Sequence, residues 1–370
     1  MKDPDPVALF LPSIKGGGTE RSFVQLANSL AEKGYKIHFL VGNLAGNIFE
    51  LNSKIKLINF ASESLIYILY RLITYLILYK PYSITTALDV PNILVYFAKT
   101  LSRFKGKVIL CQRSILFADL ENRIRIKRLF IKSMLPKVFM KVDYVISNNY
   151  YAANQIRSNY VSIGEKIHVI RNFVDFDNIQ INSKKELFLP NKFNSKKPTI
   201  LSVGSLTTIK DRSTLIKSFY YVCKLIPSNL VILGEGPERL KCESLVNKLD
   251  INGDVYLLGL IKNPYPWISK ANLIVSSSLS EGCPNNIIES ILLRKPIVAT
   301  DCPGDTSRIL LKYKPSLLVP IGDPFEMSQA ILKLLSEYKF TNKNFKYNLY
   351  DLNLELKKYE KLICPGPYEN

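Results

Sequence analysis

The sequence predicts an α/β chain made of two doubly wound, Rossmann-like domains. Three observations carry that expectation. Apolar runs of strand length alternate with helix-like stretches along the whole chain, the pattern of helices layered on parallel sheets. Each half opens the same way, on a strand, a glycine-containing loop and a helix: Val7-Ala-Leu-Phe-Leu leads into Gly16-Gly-Gly, and Thr199-Ile-Leu-Ser-Val leads into Gly204. Between the halves, residues 179–197 are rich in Lys, Asn and Ser and contain Pro190, with Pro198 directly after, which is linker composition. The expected organisation is a first domain over 1–178, a linker over 179–197, a second domain over 198–345, and a helical segment over 346–370 able to return to the first domain. Two such domains facing each other across a cleft would bring both sets of strand C-terminal ends to one ligand.

The elements follow in order. After the glycine loop, Phe23, Leu26, Ala27 and Leu30 share one helical face, and the helix stops at Gly34, suited to the C′ position. Lys36-Ile-His-Phe-Leu-Val is the next strand, with others at Lys107-Val-Ile-Leu-Cys, Tyr144-Val-Ile-Ser and Lys166-Ile-His-Val-Ile. The second half continues with strands near Asn229-Leu-Val-Ile-Leu, Val255-Tyr-Leu-Leu, Asn272-Leu-Ile-Val and Pro296-Ile-Val-Ala. The longest apolar run, Leu65 to Leu78, is interrupted by Arg71 and is too short to span a bilayer.

Length and composition bound the function classes. A chain of 370 residues with 47% hydrophobic and 22% charged content supports two globular cores and excludes fibrous or disordered classes. The six cysteines are scattered with no C-x-x-C pair, which favours reduced thiols in a cytosolic protein. The N-terminus, Met1-Lys-Asp-Pro-Asp-Pro, does not read as a secretory signal. The net charge of +19 admits nucleic acid, an anionic membrane surface or a polyphosphorylated small molecule as partner. No nucleic-acid module is recognisable, so nucleic acid is disfavoured. One stretch suits a membrane surface. Glu121 to Lys141 carries seven basic residues against one acid, with Arg125, Arg128 and Lys132 expected opposite an apolar face of Ile126, Leu129, Phe130 and Met134. Pro136 is expected to end or kink that helix. Packing of the apolar face on the sheet, with a solvated charged face, is the structural alternative.

The chemistry concentrates in Ser280-Glu-Gly-Cys-Pro-Asn-Asn-Ile-Ile-Glu289, a turn between a strand and a helix with a carboxylate at each end. A helix start of this kind offers unpaired N–H groups to an anion. Carboxylates beside a phosphate site suggest a grip on sugar or ribose hydroxyls. Gly16-Gly-Gly-Thr-Glu allows close backbone approach to a ligand. It lacks the G-x-G-x-x-G spacing, and Val41-Gly42 stands where a dinucleotide fold needs an acid, which disfavours a nicotinamide enzyme. Lys210, in Gly204-Ser-Leu-Thr-Thr-Ile-Lys-Asp, is placed as a point charge near a helix start, suited to a diphosphate.

Taken together, these segments resemble the family 4 glycosyltransferases over nearly the whole chain. The resemblance rests on Gly16-Gly-Gly-Thr-Glu-Arg through Gly34, Val169-Ile-Arg-Asn-Phe-Val-Asp175, Gly204-Ser-Leu…Lys210, Gly234-Glu-Gly-Pro-Glu-Arg with Leu258-Gly259, Glu281 to Glu289, and Thr300-Asp-Cys-Pro-Gly. It implies a GT-B fold and retaining transfer of a hexose or N-acetylhexosamine from a nucleotide diphosphate sugar, with UDP favoured, to a glycan or lipid-linked acceptor. By the same analogy, Glu281 contacts the donor sugar as the catalytic carboxylate and Glu289 the ribose. Lys210 meets the diphosphate, the Gly17–Gly18 backbone approaches it, and main-chain groups of Gly282, Cys283 and Asn285 face the donor. Gly259 and Leu260 lie in the turn that holds the base.

Two departures stand out. Ser205 replaces the basic residue common after the glycine, and Arg113 is a possible substitute for phosphate or acceptor contact. The two histidines, His38 and His168, sit in apolar strand patterns and read as structural. Asp175-Phe-Asp177 and Asp3-Pro-Asp5 mimic a D-x-D metal motif, but neither is assigned a metal, so no cofactor is expected. Two alternatives remain: a nucleotide-sugar epimerase of the same fold, and a non-catalytic protein binding membranes or polyanions.

Overall fold

The computed structural model describes residues 5–14, 18–44, 50–113, 125–172, 174, 176–191, 193–337 and 352–366. Asp3, Gly16, Gly17 and Asp175, named above, lie outside the described residues. The chain divides into two compact units, Met1–Val174 with Tyr350–Asn370, and Asp175–Leu349.

The first unit is a seven-stranded sheet. Its strands are β1 (Val7–Ile14), β2 (Ile37–Leu44), β3 (Lys56–Asn59), β4 (Ser83–Ala87), β5 (Lys107–Gln112), β6 (Tyr144–Ser147) and β7 (Ile167–Val169). All pair in parallel, in the order β3-β2-β1-β4-β5-β6-β7. Its helices are α1 (Gly18–Glu32), α2 (Leu65–Tyr79), α3 (Asp89–Ser102), α4 (Arg125–Lys141) and α5 (Tyr150–Asn159). Both sheet faces are covered, which is why β1 reads as an almost unbroken apolar run. Phe23, Leu26, Ala27 and Leu30 of α1 are buried as their spacing predicts. The helix then closes on Gly34 (φ +93°), with Gly34 N–H to Ala31 O and Tyr35 N–H to Leu30 O, both at 3.1 Å. This pair of bonds is a Schellman cap, and the positive φ explains the glycine.

Three strands escaped the sequence reading: β3, β4 and, in the second unit, the last strand. The β4 sequence Ser-Ile-Thr-Thr-Ala looks polar, yet every residue in it is buried at the centre of the sheet. Helix α4 also differs from expectation. It runs through Pro136 to Lys141, and it buries Ile131, Leu135, Val138 and Phe139 instead of the Leu129/Phe130 face. The i, i+4, i+7, i+8 stripe from Ile131 continues into Val142 and so offers the longer apolar face to the sheet.

The second unit opens on α6 (Phe176–Ser183), so the stretch expected as linker begins as a helix. Then follow β8 (Thr199–Val203), α7 (Arg212–Cys223), β9 (Asn229–Leu233), α8 (Arg239–Lys248), β10 (Val255–Gly259), α9 (Tyr265–Lys270), β11 (Leu273–Ser276), α10 (Asn285–Leu292), β12 (Ile297–Thr300), α11 (Thr306–Leu310), β13 (Ser316–Val319) and α12 (Pro324–Glu337). The six strands are parallel in the order β10-β9-β8-β11-β12-β13. Leu215, Ile216 and Phe219 of α7 and Met327 and Ile331 of α12 pack with Ile200, Ile232, Val275 and Val298 into one core. Helix α6 packs on α9, and Asn263 Nδ2 donates to Asn182 O at 3.0 Å.

The last helix, α13 (Leu352–Ile363), belongs to the first unit. Leu356, Tyr359, Leu362 and Ile363 join α1 and β1 in the core, and Ser83 Oγ of β4 donates to the Ile363 carbonyl.

Candidate active site

In the second sheet the strand order reverses between β8 and β11, and the loops leaving both strands emerge at the same C-terminal edge. Such a switch point is where open parallel sheets hold ligands. The loop after β8 turns through a single 3₁₀ turn, Thr208–Lys210, and reaches Asp211, which caps α7. The Asp211 carboxylate accepts the Thr214 N–H at 3.2 Å and its hydroxyl at 2.6 Å. The loop after β11 is stitched to it: Leu279 N–H donates to Ile209 O at 2.8 Å, and Ser277 Oγ to Lys210 O at 2.9 Å.

That stitching places Lys210 Nζ 2.5 Å from Glu281 Oε1, which also accepts Ser278 Oγ at 2.6 Å. Glu281 is fixed from its backbone as well. Its N–H donates to Pro303 O at 3.0 Å, and Asp305 N–H donates to Gly282 O at 3.3 Å. Gly304 (φ +132°) lies so close that a Cβ there would overlap the Glu281 carbonyl, so the Thr300–Gly304 loop fits only with glycine at this point. The two partners differ in burial: the Glu281 side chain is 9% exposed and that of Lys210 22%. The carboxylate is set into the wall, and the ammonium reaches outward to it.

Behind the pair lies Arg212, buried at the start of α7. Its guanidinium donates to Ser202 Oγ at 2.5 Å and to Gly204 O at 3.1 Å, and its Nε has no partner among the described residues. Burial lowers its pKa to about 10, against the pull of the Glu281 charge, so it remains a cation at neutral pH. Neither Arg212 nor Ser278 was singled out in the sequence. Arg212 looks like one more helix-start residue, and Ser278 is the last of three serines. Only the Lys-Asp-Arg spacing and the hydroxyl run hint at them.

Glu289 sits just over one turn into α10, buried, and accepts the Tyr265 hydroxyl at 3.4 Å. Helix α10 is fastened to β8 by Asn286 Nδ2, which donates to Val203 O at 3.0 Å. Asn285 is its first residue, so the start of α10, with Gly282 and buried Cys283 just before it, lies at the same edge as Glu281. Burial pushes the neighbouring Cys302 thiol up. Ser205 is exposed on the loop after β8. Gly259 closes β10, accepting the Gly234 N–H at 2.7 Å, and Leu260 is exposed beside it. Arg239 braces this turn, donating to Leu257 O at 3.1 Å and pairing with Glu235 at 2.5 Å. Ser205, Lys210, Gly259, Leu260, Glu281, Gly282, Cys283, Asn285 and Glu289 therefore lie along this edge or directly behind it.

The remaining residues belong to the first unit. Gly18 starts α1. Arg113 follows β5 and is buried, donating to Asn172 Oδ1 and to the Tyr359 hydroxyl at 3.3 Å, with its guanidinium over the Phe23 ring at 5.0 Å. His38 is packed among Tyr75 and Tyr79, with Nδ1 3.0 Å from the Tyr75 hydroxyl. His168 lies against Tyr144.

Comparison with known proteins matches this architecture. The family described as Glycosyltransferase Family 4 matches residues 16–178, and that described as Glycosyl transferases group 1 matches residues 197–337. An uncharacterized glycosyltransferase of Methanocaldococcus jannaschii is 34% identical over 47% of this chain and 44% of its own length. The N-acetylgalactosamine-N,N'-diacetylbacillosaminyl-diphospho-undecaprenol 4-alpha-N-acetylgalactosaminyltransferase of Campylobacter jejuni is 27% identical over 56% of this chain and 55% of its own. These two matches thus span about half the length of each relative. The lipopolysaccharide core biosynthesis glycosyltransferase LpsE of Rhizobium meliloti is 25% identical over 87% of both chains. Among solved structures, sucrose-phosphate synthase from Thermosynechococcus elongatus superposes with a TM-score of 0.74 at 17% identity, over 97% of this chain and 95% of that one. Anabaena HepE in complex with UDP and glucose gives 0.69 at 14% identity, over 90% of each chain. With two parallel doubly wound units and family matches to both halves, the chain belongs to the family 4 glycosyltransferases, with the GT-B fold.

Proposed function

We propose that the chain transfers a hexose or N-acetylhexosamine from a UDP-sugar to a glycan or lipid-linked acceptor in surface-polysaccharide assembly, retaining the anomeric configuration and using no metal. The observation that carries this reading is the Lys210–Glu281 pair across the β8/β11 switch point. A diphosphate entering beside the α10 N-terminus competes for Lys210 and leaves the Glu281 carboxylate to accept from a sugar hydroxyl. As the glycosidic bond breaks, charge grows on the leaving phosphate. Lys210, the α10 N-terminus and Arg212 at the foot of the Gly204 loop oppose that charge from fixed positions. In this reading Arg212 supplies the second cation that Ser205 lacks, and Glu289 holds the ribose from α10. The relatives support the acceptor class, since one is named for a diphospho-undecaprenol substrate and another for lipopolysaccharide core. A protein of the same fold holds UDP and glucose.

Two measurements test the proposal. The first follows nucleotide release from a panel of UDP-sugars with and without a lipid-linked oligosaccharide. Transfer requires acceptor-dependent release, whereas acceptor-independent conversion of the UDP-sugar to its epimer, with no net nucleotide release, would identify an epimerase. The second is calorimetry on Lys210→Ala. UDP binding should weaken at least roughly tenfold, about 1.4 kcal/mol, while uridine binding holds. Equal losses for both ligands would remove Lys210 from the phosphate site.

A further inference from the structure

Helix α2 has one charged residue in fifteen, Arg71, and its outward side is as apolar as its inward side. Ile68, Leu72, Tyr75 and Leu76 face the core. On the opposite arc Ile66 is 84% exposed, Tyr70 60% and Leu78 70%, with Tyr67 and Ile77 also exposed between them. A helix on the surface of a sheet ordinarily turns polar residues to that side, and a stripe of this kind marks an interaction surface.

The surroundings of the stripe say what kind of partner it fits. Lys56 Nζ lies over the Tyr79 ring at 4.6 Å, the Arg71 guanidinium lies over the Tyr67 ring at 5.8 Å, and Lys80 ends the helix. Between residues 51 and 82 the only acid is Glu63. In the same helical layer, joined through α3, α4 turns Leu129 and Phe130 outward beside Lys132 and Lys137 and contains no acid. Apolar side chains with a cationic rim repel a second copy of the same face and match an anionic one. At ~1.5 Å per residue, α2 is about 22 Å long, short of the ~30 Å needed to cross a bilayer. No described helix is long and apolar enough to cross a membrane.

We propose that this face docks on an anionic lipid bilayer. Helix α2 lies in the plane of the interface, with Ile66, Tyr70, Ile77 and Leu78 among the upper acyl segments and Lys56, Arg71 and Lys80 at headgroup level. The contact is therefore centred on α2, and the basic side of α4 adds charge to it. This surface is independent of the donor chemistry.

The test is co-sedimentation of the full chain with vesicles of phosphatidylglycerol and phosphatidylcholine, against vesicles of phosphatidylcholine alone. The parent should partition at least roughly tenfold more strongly to the anionic vesicles, and that advantage should shrink in high salt as screening shortens. The variant Ile66→Ser/Tyr70→Ser/Leu78→Ser should lose roughly tenfold or more of its partitioning while its circular dichroism and thermal midpoint stay those of the parent. Lys80→Glu/Lys132→Glu/Lys137→Glu should lose the preference for anionic lipid. The proposal fails if the parent stays in the supernatant with anionic vesicles, or if the serine variant binds as the parent does. It also fails if that variant instead converts a dimeric parent to monomer, which would identify the face as an interface between copies.

Discussion

The two sheets share one design and differ at the point where each reverses its strand order. In the second unit the reversal lies between β8 and β11, and the loops there carry Lys210, Ser278 and Glu281, fastened by backbone and side-chain bonds. In the first unit it lies between β1 and β4. There the loop after β4 runs through Leu88, held at φ +77°, to buried Asp89 at the start of α3. Leucine at such an angle is strained and persists only where its surroundings hold it. The same topology thus presents a braced ion pair at one reversal and a strained apolar residue at the other. Topology fixes where a ligand can lie; the loop residues decide what it can be.

The largest effect that tests this contrast comes from the charged reversal. Glu281→Gln should lower kcat by ~10²–10³-fold with little change in donor affinity, because a preorganised contact to developing charge appears in turnover. Equal, small changes in both constants would make the pair structural. Next, Gly304→Ala forces the Thr300–Gly304 loop off the Glu281 carbonyl. It should cost about 3 kcal/mol in denaturant unfolding and reduce kcat as well. The control is Gly34→Ala in the first unit, where a Cβ meets nothing within 4 Å. Only the positive φ resists it, at ~1 kcal/mol and with kcat unchanged. Glu289→Gln should weaken donor binding by ~2 kcal/mol in titration calorimetry while leaving kcat within a few-fold. The last effect is in the first unit and depends on pH. Burial first, then Lys56 and Lys36, lowers the His38 pKa from 6.5 to about 4. The unfolded chain therefore takes up that proton first. The stability held by neutral His38 is complete above pH 6.5 and is lost as pH falls toward 4, ~1–2 kcal/mol in all. Unfolding curves across that window should flatten in His38→Gln, and an unchanged slope would mean that His38 does not titrate there.

Much of this was legible in the residues themselves. Val7–Leu11, Ile37–Val41 and Asn229–Leu233 announce buried parallel strands because both of their faces are covered. Glu281, Glu289 and Lys210 were visible because each lies at a strand-to-helix turn with its own local signature. What escaped depends on distant partners. β4 is a central strand because α3 and α13 cover it, although its own Ser and Thr residues suggest a loop. Arg212 and Ser278 matter because the loops after β8 and β11, some 70 residues apart, are sewn together. The α4 register is not legible locally, because Ile126, Leu129, Phe130 and Met134 form a plausible stripe on their own, and the competing stripe wins only through Val142 and the sheet below it.

The position of α13 has a consequence for synthesis. A ribosome releases β1 through β7 first, then the whole of the second unit, and only afterwards the helix that completes the first core. Until then the surfaces of β4, β5 and α1 that receive Leu356, Tyr359, Leu362 and Ile363 stay wet, and Arg113 lacks Tyr359. The second unit can therefore mature while its elder waits, reversing the usual N-terminal-first order. A nascent chain stalled before α13 would be the species for a chaperone to hold, and a fragment ending at Val174 would inherit the same open seam.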